Sequence, residues 1–189
     1  ERHLPAQGVT YRNASDSLHG VAIAGPRSRE LLQRITRDDV SADGLKFRDV
    51  RRTFAGGVPV FLVRLSFSGE LGFEIYCEPQ FQLALWEHVT AAGADLGLKP
   101  YGARALMSLR LEKHWGVWTL DYRPDYTAAE SGLDAFIDWK REFVGRAAAA
   151  AERERGPSRR LVTLVMDAVD RDVVGDEAIL QRDRCVGHV

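Results

Sequence analysis

Two segments of this 189-residue chain carry residue types that could do chemistry together. The first, Ser66-Phe67-Ser68-Gly69-Glu70-Leu71-Gly72-Phe73-Glu74-Ile75-Tyr76, sets two carboxylates at a glycine-rich turn running into a strand. The second runs from Tyr101 to Lys113 and sets Arg104 and Arg110 on a helix that is otherwise largely apolar. Charges pointed into apolar surroundings need partners, because their desolvation is costly. The two segments are therefore expected to meet, or jointly to hold a polar, hydrogen-bonding ligand.

If the strand is regular from Glu70 onward, Glu70 and Glu74 share one face, since side chains alternate. A strand-borne carboxylate facing a pocket accepts two parallel N–H donors, a geometry that suits an amino-pyrimidine or guanidine-like edge. The plainer reading is that either glutamate is solvated or pairs with a lysine. Glu74, between Phe73 and Ile75, is the better candidate; Glu70 lies at the turn. On the helix, successive residues rotate by about 100°. Leu106 and Leu109 then share a side with Gly102 and Ala103, and Arg104, Ser108, Leu111 and Trp115 lie opposite. Apolar groups on both sides predict an enclosed helix, in which Arg104 needs an acceptor: Glu74, a ligand carbonyl or carboxylate, or a structural ion-pair partner. Arg110, beside Glu112 and Lys113, reads as structural. Trp115, Trp118, Tyr122 and Tyr126 make either a wall for a flat heterocycle or packing beneath a loop.

Other chemistries lack their signatures. There is no GxSxG, Walker loop, GxGxxG or HExxH, and Asp121 and Asp125 have no local group to activate them as bases. Cys77 and Cys185 form no CxxC; the alternatives are a disulfide between them and two free, buried thiols, and the second is expected. His3, His19, His88, His114 and His188 are scattered without ligand spacing, so no metal site is expected. A net charge of −1 gives no electrostatic case for nucleic acid. No apolar run approaches the roughly 20 residues of a membrane span, Glu1–Pro5 does not read as a signal peptide, and Asn13-Ala14-Ser15 is a chance glycosylation sequon. With 45% hydrophobic and 28% charged residues, the composition is that of an ordinary globular protein.

The elements that must position these residues follow from pattern. Strands are expected at Gly8–Asn13 and His19–Ala24, at Arg51–Phe54 and Val58–Ser66 around a Gly56-Gly57 hairpin, and at Gly72–Cys77. Gly25-Pro26 is expected to open a helix carrying Leu31, Leu32 and Ile35. Further helices are expected at Phe81–Ala94, with Leu83, Leu85, Trp86 and Val89 mostly inward, at Tyr101–Trp115, and from Gly145 to Arg155. Arg160–Met166 and Glu177–Gln181 read as β-like, and Cys185–Val189 as the start of a strand, so the chain reads as a fragment of a longer polypeptide. Strands and helices mix without a strict βαβ repeat, which predicts an α+β fold with mixed sheets and packed helices. The best domain boundary is Glu152–Pro157, giving domains 1–155 and 156–189.

Several motifs together resemble one family. Gly25-Pro26-x-Ser28, the Ser66–Ile75 stretch, Gly102-Ala103-Arg104 through Ser108 to Glu112, and Lys140-x-x-Phe143-Val144-Gly145 are similar to the tetrahydrofolate-dependent aminomethyltransferases, the glycine-cleavage T-protein family. Leu111–Gly116 and Leu161–Ile179 resemble most the C-terminal folate domains of dimethylglycine and sarcosine dehydrogenases. The resemblance implies a ferredoxin-like subdomain followed by the start of a small β-barrel. It implies tetrahydrofolate as cofactor, with a small N-methyl amine as donor and 5,10-methylenetetrahydrofolate as product. FAD is expected only in a missing N-terminal half, a covalently attached flavoprotein domain. The compartment is expected to be cytoplasmic or, in a eukaryote, matrix-like.

By the same resemblance, the family's pterin-holding Glu and Arg fall on Glu74 and Arg104; Glu70, Phe67 and Trp115 are further candidates for the same cofactor site. Phe67 stands where the family has Tyr, which loses a hydroxyl contact. Thr127-Ala128-Ala129-Glu130 lacks the family's proline, which is expected to loosen that loop. The family's acidic catalytic residue falls upstream of Glu1, so this chain is expected to hold one wall of a folate site, binding weakly without turnover. Two other readings stand beside it: a non-catalytic folate-binding module, or a structural domain that docks a flavoprotein with Glu74 and Arg104 paired to each other.

Overall fold

The computed structural model describes residue 5 and residues 7–167, 169–171 and 173–189; His3 and the remainder of the expected Glu1–Leu4 stretch lie outside them. The chain divides into two compact units, Glu1–Asp121 and Tyr122–Val189. The expected boundary after Arg155 falls inside the second.

The first unit is built on a four-stranded antiparallel sheet in the order β1-β4-β3-β2. Its strands are β1 (His19–Ala24), β2 (Val50–Ala55), β3 (Val58–Val63) and β4 (Gly72–Cys77). β2 and β3 form the expected hairpin: Ala55 faces Val58, and the two intervening residues, Gly56 and Gly57, have φ of 58° and 81°. That is the left-handed pair a two-residue primed turn requires, and glycine takes it without strain.

Helices α1 (Ser28–Ile35) and α2 (Gln82–Gly93) pack on the sheet and on each other. The core between them is Ile23, Val58, Val60, Leu62, Phe73, Ile75 and Cys77 from the sheet, Leu31 and Leu32 from α1, and Leu85 and Val89 from α2. Phe73, Ile75, Leu32 and Leu85 are fully buried, each stabilising the fold by about 1.5–3 kcal/mol. Strand parity then sends Ala22, Val63, Glu74 and Tyr76 to the sheet's other side, where Ala22 pairs with Glu74 and Val63 with Glu74 across the ladder.

The structure departs from the sequence-based expectations at several elements. Gly8–Asn13 forms no strand; these residues are exposed, and the Asn13 side chain instead accepts from the Ser15 N–H at 3.0 Å, closing a short 3-10 turn at Ser15–Ser17. Pro26 sits in the turn before α1 rather than at its first position. In α2 the inward stripe is Leu85, Val89 and Gly93; at 100° per residue this rotates Leu83 and Trp86 outward, leaving them 68% and 45% exposed. α3 (Ala103–Glu112) is not enclosed: only Arg110 is buried, and Arg104, Ser108 and Leu111 are exposed.

The second unit contains α4 (Arg146–Arg155) and an antiparallel pair, β5 (Ala178–Gln181) with β6 (Arg184–His188). The expected strand at Arg160–Met166 does not form; it is exposed and no strand among the described residues pairs with it. Both cysteines are free, but only Cys77 is buried; Cys185 lies exposed on β6. The turn expected to be loose for want of proline is held by a reciprocal pair. The Thr127 N–H donates to Glu130 Oε2, and the Glu130 N–H donates to Thr127 Oγ1, both at 3.1 Å. Buried Glu130 also accepts from the Ser158 hydroxyl at 2.8 Å, the main reason its carboxyl is held below the usual range.

Candidate functional site

The two candidate segments do meet, through different residues from those expected. Strand β4 begins only at Gly72, so alternation does not extend back to Glu70. Gly69 takes φ +78° in the preceding turn and lies so close to α3's C-terminal loop that a Cβ there would fall 2.6 Å from Trp115 Nε1. Glu70 is turned to Lys113, whose ammonium lies 2.8 Å away and titrates above its ordinary range because of that hydrogen bond. Both partners are nearly half exposed, so the pair contributes little to stability.

Glu74 faces the side of the sheet away from the α1/α2 core, half-buried, and accepts a hydrogen bond on Oε2 from the Tyr76 hydroxyl at 2.5 Å. Its Oε1 has no partner among the described residues. Phe61 and Val63 stand beside this pair on β3, and the Arg52 guanidinium lies 4.9 Å from the Phe61 ring centroid. The carboxylate pushes the Tyr76 phenol up to about 12, so it is a proton donor at any physiological pH.

Arg104 is exposed at the start of α3 and makes no ion pair among the described residues; the Glu74–Arg104 pairing that the docking alternative requires is not formed. Phe67 is 41% and Trp115 50% exposed, both within reach of solvent in the same unit. Trp118 is more exposed still, and Tyr126 belongs to the second unit, where it bonds His188 at 2.7 Å. Arg110, read as structural, is buried: it donates to the Trp115 carbonyl at 2.9 Å and to Asp121. Asp121 is thereby committed to holding a loop.

Sequence reasoning did not single out Tyr76 or Gly20. The signal for Tyr76 is plain in retrospect: it lies two residues beyond Glu74 on a regular strand, hence on the same face. A cavity of about 580 Å³ in the second unit is lined by Trp139, Glu152, Arg153 and Leu161 among others, and includes none of the expected site residues. Among the described residues, no group of three or more His, Cys, Asp or Glu could hold a metal, and no helix is long and apolar enough to cross a membrane.

Residues 1–141 match the GCVT N-terminal domain. The chain belongs to that family. Its GCVT-type sequence is 34% identical over 182 residues to human mitochondrial dimethylglycine dehydrogenase, covering 95% of this chain and 21% of the relative. It is 37% identical over 179 residues to mouse mitochondrial sarcosine dehydrogenase, covering 94% and 19%. It is 36% identical over 160 residues to an aminomethyltransferase of Caldanaerobacter subterraneus subsp. tengcongensis, covering 84% and 42%. The resemblance drawn from the motifs is thus borne out, as is the α+β class. The chain spans about a fifth of the dehydrogenases' length and under half of the aminomethyltransferase.

Proposed function

We propose that this GCVT-family domain forms one wall of a tetrahydrofolate site in a one-carbon transfer enzyme of the dimethylglycine/sarcosine dehydrogenase type. The reaction is acceptance of a methylene unit from an N-methyl amine, giving 5,10-methylenetetrahydrofolate. The observation that carries this reading is the half-buried Glu74 carboxylate on the side of the sheet away from the α1/α2 core, with one oxygen fixed by Tyr76 and the other without a partner among the described residues.

The residues fit a pterin. Adjacent amino and ring N–H donors need a carboxylate acceptor, and a flat ring needs apolar neighbours, which Phe61, Val63 and Ala22 offer on the same side as Glu74. Tetrahydrofolate, when bound, supplies the nitrogens that take up the one-carbon unit. Within this chain, Glu74 accepts from the amino-pyrimidine edge. Arg104, exposed and without an ion pair among the described residues, offers its guanidinium to a carbonyl or a glutamate tail. Glu70, Phe67 and Trp115 are assigned to the border of the same site.

Flavin chemistry on the small N-methyl amine is assigned to a covalently attached flavoprotein domain. Binding without turnover is expected of this chain alone, and its compartment is matrix-like or cytoplasmic. The docking alternative needs Glu74 and Arg104 paired to each other, and Glu74 is bonded to Tyr76 instead. Titration calorimetry with tetrahydrofolate on the chain and on Arg104→Ala, with folding followed by circular dichroism, tests the reading. Binding lost in a folded Arg104→Ala supports it; no binding by either protein sinks it.

A further inference from the structure

The hydrogen bond on Glu74 is itself held in place. Tyr76 stands opposite Gly20 on β1 and Phe61 on β3. A Cβ at position 20 would lie 2.9 Å from Tyr76 Cε1 and 3.1 Å from Cδ1, so the phenol ring occupies the space that any larger residue there would need. The hydroxyl at the end of that seated ring reaches Glu74 Oε2 at 2.5 Å.

We infer that Tyr76 is a positioning residue: seated on Gly20, it fixes the rotamer of Glu74 and keeps Oε1 turned out as the acceptor for a ligand edge that presents paired N–H donors. The inference rests on Glu74 being the pterin acceptor. A glutamate free to rotate would lose side-chain entropy on binding, and a restrained one has already lost it, which is the general advantage of preorganisation. The donor is also of one kind. A phenol that stays protonated through the physiological range always donates to Glu74 and never competes with the ligand for an N–H. This gives the Gly20–Tyr76–Glu74 line across three positions of two strands a role in ligand recognition beyond packing.

The test is calorimetric titration of tetrahydrofolate into the chain and into folded Tyr76→Phe, Glu74→Gln, the double variant and Gly20→Ala. Tyr76→Phe is expected to weaken binding about tenfold, the effect of a hydrogen bond to a charged group. Glu74→Gln is expected to weaken it more, and the double variant no further than Glu74→Gln alone, because Tyr76 acts through Glu74. Gly20→Ala, which leaves both partners present but displaces the ring, is expected to resemble Tyr76→Phe. Loss in Glu74→Gln with no change in Tyr76→Phe overturns the inference and leaves the site standing, as does an additive double variant. Equal binding by Glu74→Gln and the unchanged chain, or no binding at all, overturns the site and this inference with it.

Discussion

Arg110 and Asp121 hold the loop after α3 from within: the guanidinium donates to Asp121 Oδ2 at 2.7 Å, and the same oxygen accepts the Val117 N–H at 2.7 Å. Arg110 also reaches the Trp115 carbonyl, and its side chain is only 8% exposed. Removing one partner of a buried pair strands the other, so Arg110→Ala is expected to cost about 3 kcal/mol. Urea unfolding should show it as a shift in midpoint at constant slope.

The pair between Lys113 and Glu70 should behave in the opposite way. Both side chains are more than 40% exposed, and a pair so open to solvent is screened and adds little to stability. Lys113→Ala is expected to leave the urea midpoint nearly unchanged. A large destabilisation would mean that the pair is shielded in solution.

Tyr76 gives an alkaline signature. Its phenol titrates near 12 when folded, against an ordinary value of about 10. A group whose value is raised by folding contributes stability fully below the unfolded value and loses it as pH rises through the folded one. The chain should therefore lose stability between about pH 10 and 12. Tyr76→Phe should flatten that part of a pH series of thermal midpoints, and Glu74→Gln should return the phenol's ultraviolet titration towards pH 10.

The two thiols should separate cleanly. Cys77 is buried, and burial pushes its thiol up; Cys185 is exposed and donates to the Gly187 carbonyl at 3.3 Å. A neutral alkylating reagent at pH 7.5 should label one site, Cys185, in the native chain and both in denaturant. Native labelling of Cys77 would mean that the core opens readily around β4.

Much of the first unit was legible because its elements announce themselves locally. The Gly56-Gly57 turn, the strands around it and the apolar run of β4 each need only their own residues to be read. What was missed depends on partners distant in sequence. Whether α3 is enclosed depends on what packs against it, and an apolar helix with exposed Leu111 looks the same on paper as a buried one. The rotation of α2 that exposes Trp86 follows from its contact with β1 and α1 rather than from its own periodicity. The same limit governs the site. Glu74 could be chosen from its neighbours, but its partner is decided by strand parity, and Arg104's freedom by the absence of any facing carboxylate among the described residues. Arg160–Met166 has the residue types of a strand, but a strand also needs a neighbour to pair with.

Strand β4 writes two messages in alternate letters: Phe73, Ile75 and Cys77 to the interior, Glu74 and Tyr76 to the other side. Because the two sets interleave one by one, they share a frame but no positions. Descendants of this domain can revise what the outer letters grip while the inner letters stay fixed. An insertion or deletion within the strand scrambles both at once, so the specificity of this surface is open to change by substitution and closed to change by length.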